Sequence, residues 1–395
     1  MPMQTKWRAL IISALVGTIA LVGMTGCQPN RSPKNDHLVT IGSNLEMTGS
    51  NASFGTSTVN AMQMAIDEVN SADGILGKQI QLIALDNRSD VAGSSDAMFK
   101  LLDAGVVGII GPDTSSNVIA VAPMVAENKI PLISPKATHP AVTIDPATGK
   151  VREYVFRATF IDSYQGRIAA EFAYGDLGAR KAAILVDNAS EYAIGLADFF
   201  TKSFTAAGGT VIAKEAYLQK DVDFKVTLTK LKAQHPDVLF VPGYYQEVGM
   251  IVRQAREIGW NVPIVGGDGW DSDKLVEIAG AKNLNNTYYT NHYSPNDTDP
   301  VLQQFITRYE RRFGYKPDSY AVLGYDATRL LLEAIRRAQS TDPHKIQQEL
   351  TQMQDFKAIS GKISIDADHN TVSSGVVIQL VDGERRFLKR IQLSQ

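Results

Sequence analysis

The strongest constraint in this sequence is an alternation of pattern. Short, densely apolar runs such as Val106-Val107-Gly108-Ile109-Ile110 and Ile130-Pro131-Leu132-Ile133 are separated by stretches of helical spacing. Such runs suit strands buried on both faces of a parallel sheet. Between these two, residues 118–128 carry Ile119, Met124 and Val125 at helical intervals, so the unit reads strand, loop, helix, strand. The loops that follow the strands are Gly111-Pro112-Asp113-Thr114-Ser115-Ser116-Asn117 and Ser134-Pro135-Lys136-Ala137-Thr138. Both lie at the carboxyl ends of strands, where open α/β sheets bind ligands. Ser115 and Ser116 fall where a helix begins, and free backbone N–H groups there favour an anion such as a carboxylate. A Thr-Ser-Ser run before a helix serves equally well as an N-cap with no ligand at all.

The alternation spans most of the chain. A strand at 38–42 leads into the loop 46–55, then a helix with Val59, Met62, Ile66 and Val69 on one face and Gly74 past its end. A strand at 79–86 and a helix at 94–104 complete a doubly wound parallel sheet with the unit above. Residues 143–152 have turn chemistry and read as a surface excursion. After a strand at 153–158 the series restarts at Asp162. Helices are expected to 174 and at 193–207, 224–233 and 246–258, with strands at 182–187, 210–217, 238–241 and 262–266. A strand at 286–291, helices at 300–313, 320–338 and 344–353, and strands at 362–366, 375–381 and 386–392 close the chain. A chain of 395 residues exceeds one core of ordinary size. Two α/β series without a Gly/Ser linker imply two lobes of one kind, side by side.

A net charge of −3 and the absence of a basic stripe with interleaved aromatics argue against nucleic acid. The single cysteine, Cys27, excludes an intrachain disulfide and a thiolate metal cluster. Its position is informative. Lys6 and Arg8 precede an apolar run at 9–22 and a small-residue junction, Gly23-Met24-Thr25-Gly26-Cys27, the layout of an export signal. A retained membrane anchor is the alternative, since the run is near the lower limit for a span. The junction resembles a bacterial lipobox, with Met24 where Leu is usual; Cys27 would then be lipidated and become the mature N-terminus. Residues 28–36 are polar and contain Pro, fit for a tether. Both readings place the domain outside the cytoplasm.

Enzyme chemistry is not visible. Six scattered histidines (His37, His139, His235, His292, His344 and His369) form no HExxH and are expected at the surface. There is no Gly-x-Ser-x-Gly elbow and no P-loop. Asp366-Ala-Asp368-His-Asn370 imitates a calcium loop, but Thr371 and Val377 stand where Gly and Glu are needed, so it reads as a hairpin turn. Asp271 to Asp273 suit a helix start. No metal and no cofactor is expected. Phe54, Tyr244, Tyr245 and Trp270 lie in loops after strands, more aromatics than packing alone requires there.

Taken in order, several stretches resemble the branched-chain amino-acid (Leu/Ile/Val) binding family of type I periplasmic binding proteins. They are Thr48-Gly49 with Phe54-Gly55, Gly111 with Ser115-Ser116, Ile133-Ser134-Pro135 with Ala137-Thr138, Gly243-Tyr244-Tyr245 with Glu247 and Gly249, Arg253-Gln254-Ala255-Arg256, and Gly267-Asp268-Gly269. The resemblance implies two Rossmann-like α/β lobes joined by three crossovers, near Phe160, Asn291 and Ser373. One lobe would comprise 38–160 and 291–373, the other 161–290 and 374–395. It also implies that Ser115 binds a ligand carboxylate, with Ser116 beside it. The Lys136 carbonyl and the Thr138 hydroxyl would serve the α-ammonium or the carboxylate nearby, and Asp268 would pair with the ammonium from the other lobe. Phe54, Tyr192, Tyr244 and Tyr320 would line the side-chain pocket. Asp268 stands where the branched-chain binders have Glu, and Trp270 would narrow or floor the pocket. A disulfide staple found in some relatives is replaced here by Ser89 and Thr114.

The expected function is therefore capture of an amino acid or related small polar ligand between closing lobes, with delivery to an ABC permease by a membrane-tethered lipoprotein. A sensor of the same fold acting through a signalling partner is the alternative, because fold alone does not decide.

Overall fold

The computed structural model describes residues 37–371 and 375–391. The export segment, Cys27, the tether as far as residue 36 and the crossover expected near Ser373 lie outside the described residues.

Two sheets organise the chain. The first contains β1 (Leu38–Leu45), β2 (Gln79–Asp86), β3 (Ile109–Ile110), β4 (Leu132–Ser134) and β5 (Val155–Arg157) in the order β2-β1-β3-β4-β5, with every pairing parallel. Its crossovers are α1 (Ala52–Ser71), α2 (Val91–Asp103) and α3 (Ser115–Asn128). Strand β3 is short but wholly buried, as the apolar run requires. After β5 the chain enters α4 (Asp162–Glu171), which a π-helical turn at Phe172–Asp176 extends.

The second sheet contains β6 (Lys181–Asp187), β7 (Thr210–Tyr217), β8 (Val238–Val241), β9 (Ile264–Gly266) and β10 (Thr287–Asn291), with α5 (Glu191–Ala206), α6 (Lys225–Lys232), α7 (Tyr245–Glu257) and α8 (Asp273–Ala279) between them. The chain then builds α9 (Pro300–Phe313), α10 (Ser319–Ala338), α11 (Pro343–Thr351) and a separate hairpin of β11 (Phe356–Ala358) with β12 (Gly361–Ile363). It returns to the second sheet through β13 (Gly375–Val381) and β14 (Glu384–Ile391), giving the order β14-β13-β10-β9-β8-β6-β7. The β13 and β14 pairings are antiparallel, the others parallel.

Each sheet has its own core. Ile41, Ile110 and Ile133 pack with Leu330, Leu331 and Ile335 of α10, so this late helix completes the first half. Ile184, Phe240 and Val265 pack with Val377 and Ile378 of β13 in the second. Burying each such side chain is worth roughly 1.5–3 kcal/mol, which is why strand positions this apolar end inside.

Three expectations are corrected. His292 and His369 are buried rather than at the surface. His369 donates from Nδ1 to the Val155 carbonyl at 3.0 Å and stacks on Phe156, while His292 stacks on Phe160 at 3.7 Å. Asp271 is not a helix-start residue: Ser272 caps α8, and Asp271 is buried, accepting from Tyr289, Asn291 and the Ser319 amide and paired with Arg385. The strand expected at 362–366 is shorter and shifted, β12 covering Gly361–Ile363 in a small hairpin with β11 that turns into Gly361, whose φ of +125° suits glycine.

Candidate functional site

The loop between β3 and α3 is built around a buried carboxylate. Gly111 turns it with a φ of +88°, and a Cβ there would lie 2.4 Å from the Asn44 carbonyl oxygen, so only glycine fits. Glu46, at the end of β1, accepts from the Asp113 amide (3.1 Å), the Thr114 amide (3.2 Å), the Thr114 hydroxyl (2.8 Å) and Asn117 Nδ2 (2.8 Å). Negative charge there complements the start of α3. Thr114 is the N-cap residue and Ser115 the first helical residue, so Ser115 is not the cap. Its Oγ accepts from the His139 amide at 3.2 Å, tying this loop to the one after β4.

Arg157, the last residue of β5, shapes that second loop from beneath. Its buried guanidinium donates to the carbonyls of Ala137 (3.0 Å) and His139 (2.8 Å) and to Thr143 Oγ1 (3.1 Å). With those backbone groups held, the Lys136 side chain extends toward the other sheet. Its Nζ reaches Asp268 Oδ2 at 2.7 Å, and both side chains are within 3% of full burial.

On the opposite side, β9 ends in a single 3-10 turn, Asp268–Trp270. Gly269 is required there, since a Cβ would approach the Gly243 carbonyl oxygen to 2.6 Å. The Gly269 amide donates to the Tyr192 hydroxyl at 3.2 Å, and Tyr192 stacks on Tyr244 at 5.3 Å. Asp268 receives two further donors, His292 Nε2 on Oδ2 at 2.9 Å and Gln165 Nε2 on Oδ1 at 2.8 Å.

These elements line a partly open pocket of about 10 Å³, roughly the space one water needs. Asp113, Ser115, Lys136 and Tyr320 wall it from the first half, and Tyr192, Tyr244, Asp268 and Gly269 from the second. Hydrogen bonds outside the cavity also join the halves: Ser116 Oγ accepts from the Glu191 amide at 3.2 Å, and the Ser53 and Ser272 hydroxyls meet at 2.8 Å.

The electrostatics follow from burial and from Lys136. Burial alone would raise the Asp268 carboxyl, but the Lys136 ammonium and His292 outweigh it and hold the group well below the usual carboxylate range. Burial, with the Lys136 charge, lowers His292 to about 4, so it is neutral at pH 7. Asp113 goes the other way: burial and then the Glu46 charge push it well above its ordinary value. Its Oδ2 accepts from Thr58 at 2.9 Å, while its Oδ1 is buried with no partner among the described residues. Burial and the Asp268 charge push the Tyr192 and Tyr320 hydroxyls up as well.

Of the residues singled out in the sequence, Ser115, Lys136, Asp268, Tyr192, Tyr244 and Tyr320 stand in the wall. Phe54 lies one layer behind, its ring stacked on Tyr320 at 3.8 Å. Thr138 is buried without lining the cavity, and Ser116 turns to α5. Trp270 is a correction: its indole is wholly buried in the second core, donates to the Val241 carbonyl at 3.1 Å and packs over Gly266. It neither floors nor narrows the cavity. Sequence reasoning missed Asp113 as a wall residue and Gln165 and His292 as partners of Asp268. Asp113 had a signal, since it lies within the Gly111 to Asn117 loop; the other two had none nearby.

The sequence model of the family described as periplasmic binding protein matches residues 38–385. A Leu/Ile/Val-binding protein homolog 1 from Brucella suis biovar 1 is 29% identical over 358 residues, covering 89% of this chain and 94% of its own. The crystal structure of a leucine-binding protein LivK from Thermotoga maritima is 35% identical with a TM-score of 0.84, covering 89% of this chain and 98% of that one. The branched-chain amino-acid transporter substrate-binding protein LivJ from Streptococcus pneumoniae, solved with isoleucine, is 34% identical with a TM-score of 0.84, covering 90% and 99%. With two largely parallel sheets, a pocket lined from both halves and a match over nearly the whole described chain, the protein belongs to the Leu/Ile/Val-binding family of periplasmic binding proteins.

Proposed function

We propose that this protein is an extracytoplasmic solute-binding lipoprotein that encloses one small organic acid, an amino acid or a close relative of one, and delivers it unchanged to an ABC importer. The observation that carries the reading is the wall itself: four residues from each half converge on one pocket. A guest touching both halves favours the closed arrangement to the extent of those contacts. Closure also removes water, so charge-assisted hydrogen bonds inside are stronger than on an open surface. The LivJ structure with isoleucine supports a guest of amino-acid size. The lobes of this reading are 38–160 with 291–373, and 161–290 with 374–395. Lipid attachment at Cys27, supported by the Gly23 to Cys27 junction, would keep the protein beside its permease.

Native mass spectrometry of the full chain against amino acids and small organic acids tests this. One guest per chain, recovered chemically intact, is expected. Absence of any bound guest at millimolar concentration, or release of an altered product, overturns it.

A further inference from the structure

The place beside Asp268 is where a guest ammonium would have to sit, and the chain already holds an ammonium there. Lys136 Nζ lies 2.7 Å from Asp268 Oδ2 and 4.7 Å from the centroid of the Tyr320 ring. Among the described residues Asp268 already accepts three hydrogen bonds, from Lys136 and His292 on Oδ2 and from Gln165 on Oδ1, and its charge is paired with the Lys136 ammonium. Resting on the solute-binding reading, we infer that the guest is a small monocarboxylate with no cationic nitrogen, the Lys136 ammonium standing in for the amino group that an amino acid would bring.

The rest of the wall suits such a guest. Lys136 carries three N–H donors, of which Asp268 uses one. Ser115 Oγ accepts from the His139 amide and the Tyr192 hydroxyl from the Gly269 amide, so each retains its own hydrogen to give. Asp113 is in the wall with Oδ1 unpartnered, and burial beside Glu46 favours its protonated form, in which it donates. Lys136, Ser115, Tyr192 and a protonated Asp113 thus give the wall four groups able to donate, which matches a carboxylate, an acceptor only. Tyr192, Tyr244 and Tyr320 border the same space and suit an apolar body once the two halves part to widen a gap of about 10 Å³. An amino acid would bring a second ammonium to an Asp268 already paired with Lys136, so one of the two cations must give up that carboxylate inside the protein.

Matched pairs that differ only in the amino group provide the test. Isothermal titration calorimetry of the full chain would compare 4-methylpentanoate with L-leucine, and 3-phenylpropanoate with L-phenylalanine. The acid of at least one pair should bind at least ~100-fold tighter than its amino acid, the scale set by leaving a buried charge unpaired. Lys136→Ala should reverse the order, since the amino group of the guest then meets an unpaired Asp268. Lys136→Met, which keeps much of the stem's packing, is the second variant should the first not fold. Tighter binding of the amino acid than of the acid by the unaltered chain in both pairs overturns this inference and leaves the proposed function standing. Failure of the unaltered chain to bind either acid also overturns this inference, and the proposed function falls with it only if the wider panel of amino acids and small organic acids yields no bound guest.

Discussion

Replacing Glu46 should loosen the whole start of α3. Its Oε1 accepts three of the four bonds, from the Thr114 amide, the Thr114 hydroxyl and Asn117 Nδ2, and its Oε2 accepts the fourth, from the Asp113 amide. In Glu46→Gln the amide oxygen can keep the first three, and the NH2 then faces the Asp113 N–H, donor against donor. Leaving that buried donor unmet costs about 1–3 kcal/mol. Losing negative charge at a helix N-terminus costs about 0.3–1 kcal/mol more, rising toward about 2 kcal/mol when partly buried. Relief of the repulsion that Glu46 exerts on Asp113 returns part of this. A net loss of about 1–4 kcal/mol follows. Glu46→Ala, which strands all four donors, should lose more. Urea unfolding gives the stabilities, and hydrogen exchange at the Asp113 and Thr114 amides reports whether the loss is local to this loop. A Glu46→Gln protein within about 0.5 kcal/mol of the unaltered one, or one that loses as much as Glu46→Ala, would refute the reasoning.

Trp270→Phe removes the indole donor to Val241 while leaving the cavity wall untouched; stability should fall by about 1–3 kcal/mol, with the ranking of bound solutes unchanged by calorimetry. His292 gives a pH signature. Burial, reinforced by the Lys136 charge, lowers it to about 4 in the folded protein against about 6.5 unfolded. The unfolded chain therefore takes up this proton first as pH falls, so the stabilisation from His292 is full above about pH 6.5 and is lost progressively toward pH 4. Between pH 7.5 and 5, His292→Gln should lose about 2 kcal/mol less than the unaltered chain, and parallel stability curves from denaturant titrations at each pH would contradict this.

Much of the architecture was legible because parallel strands buried on both faces leave unbroken apolar runs, and β3, β4 and β8 have them. Boundaries were less so. The second helix begins at Val91 and not at Ser94, because Asp90 caps it by accepting from the Gly93 amide at 2.6 Å. The loops of the site were legible as strand ends carrying hydroxyls and aromatics. What each side chain does there was not. Lys136 stood out only for its carbonyl, since nothing local shows that Arg157 ties down the neighbouring backbone and that the ammonium crosses to Asp268. Glu46 serves a loop 67 residues away, and Gln165 reaches an aspartate 103 residues on. Trp270 misled because two steps along a tight 3-10 turn place it on the far side from Asp268.

The strand order of the second sheet also governs how safely the chain can be shortened. Strand β10 is interior only because β13 zips along it from Thr287 to Asn291, and β14 then becomes the margin. That margin carries Arg386, Lys389 and Arg390, charges that discourage another strand from adding on. Cutting at residue 371 would strip away both strands and uncover the backbone of β10, flanked by Tyr288 and Tyr289. The shortened product would carry a sticky flank in place of a cationic one, and with Val377 and Ile378 gone from the second core, self-association and loss of solute capture would come together.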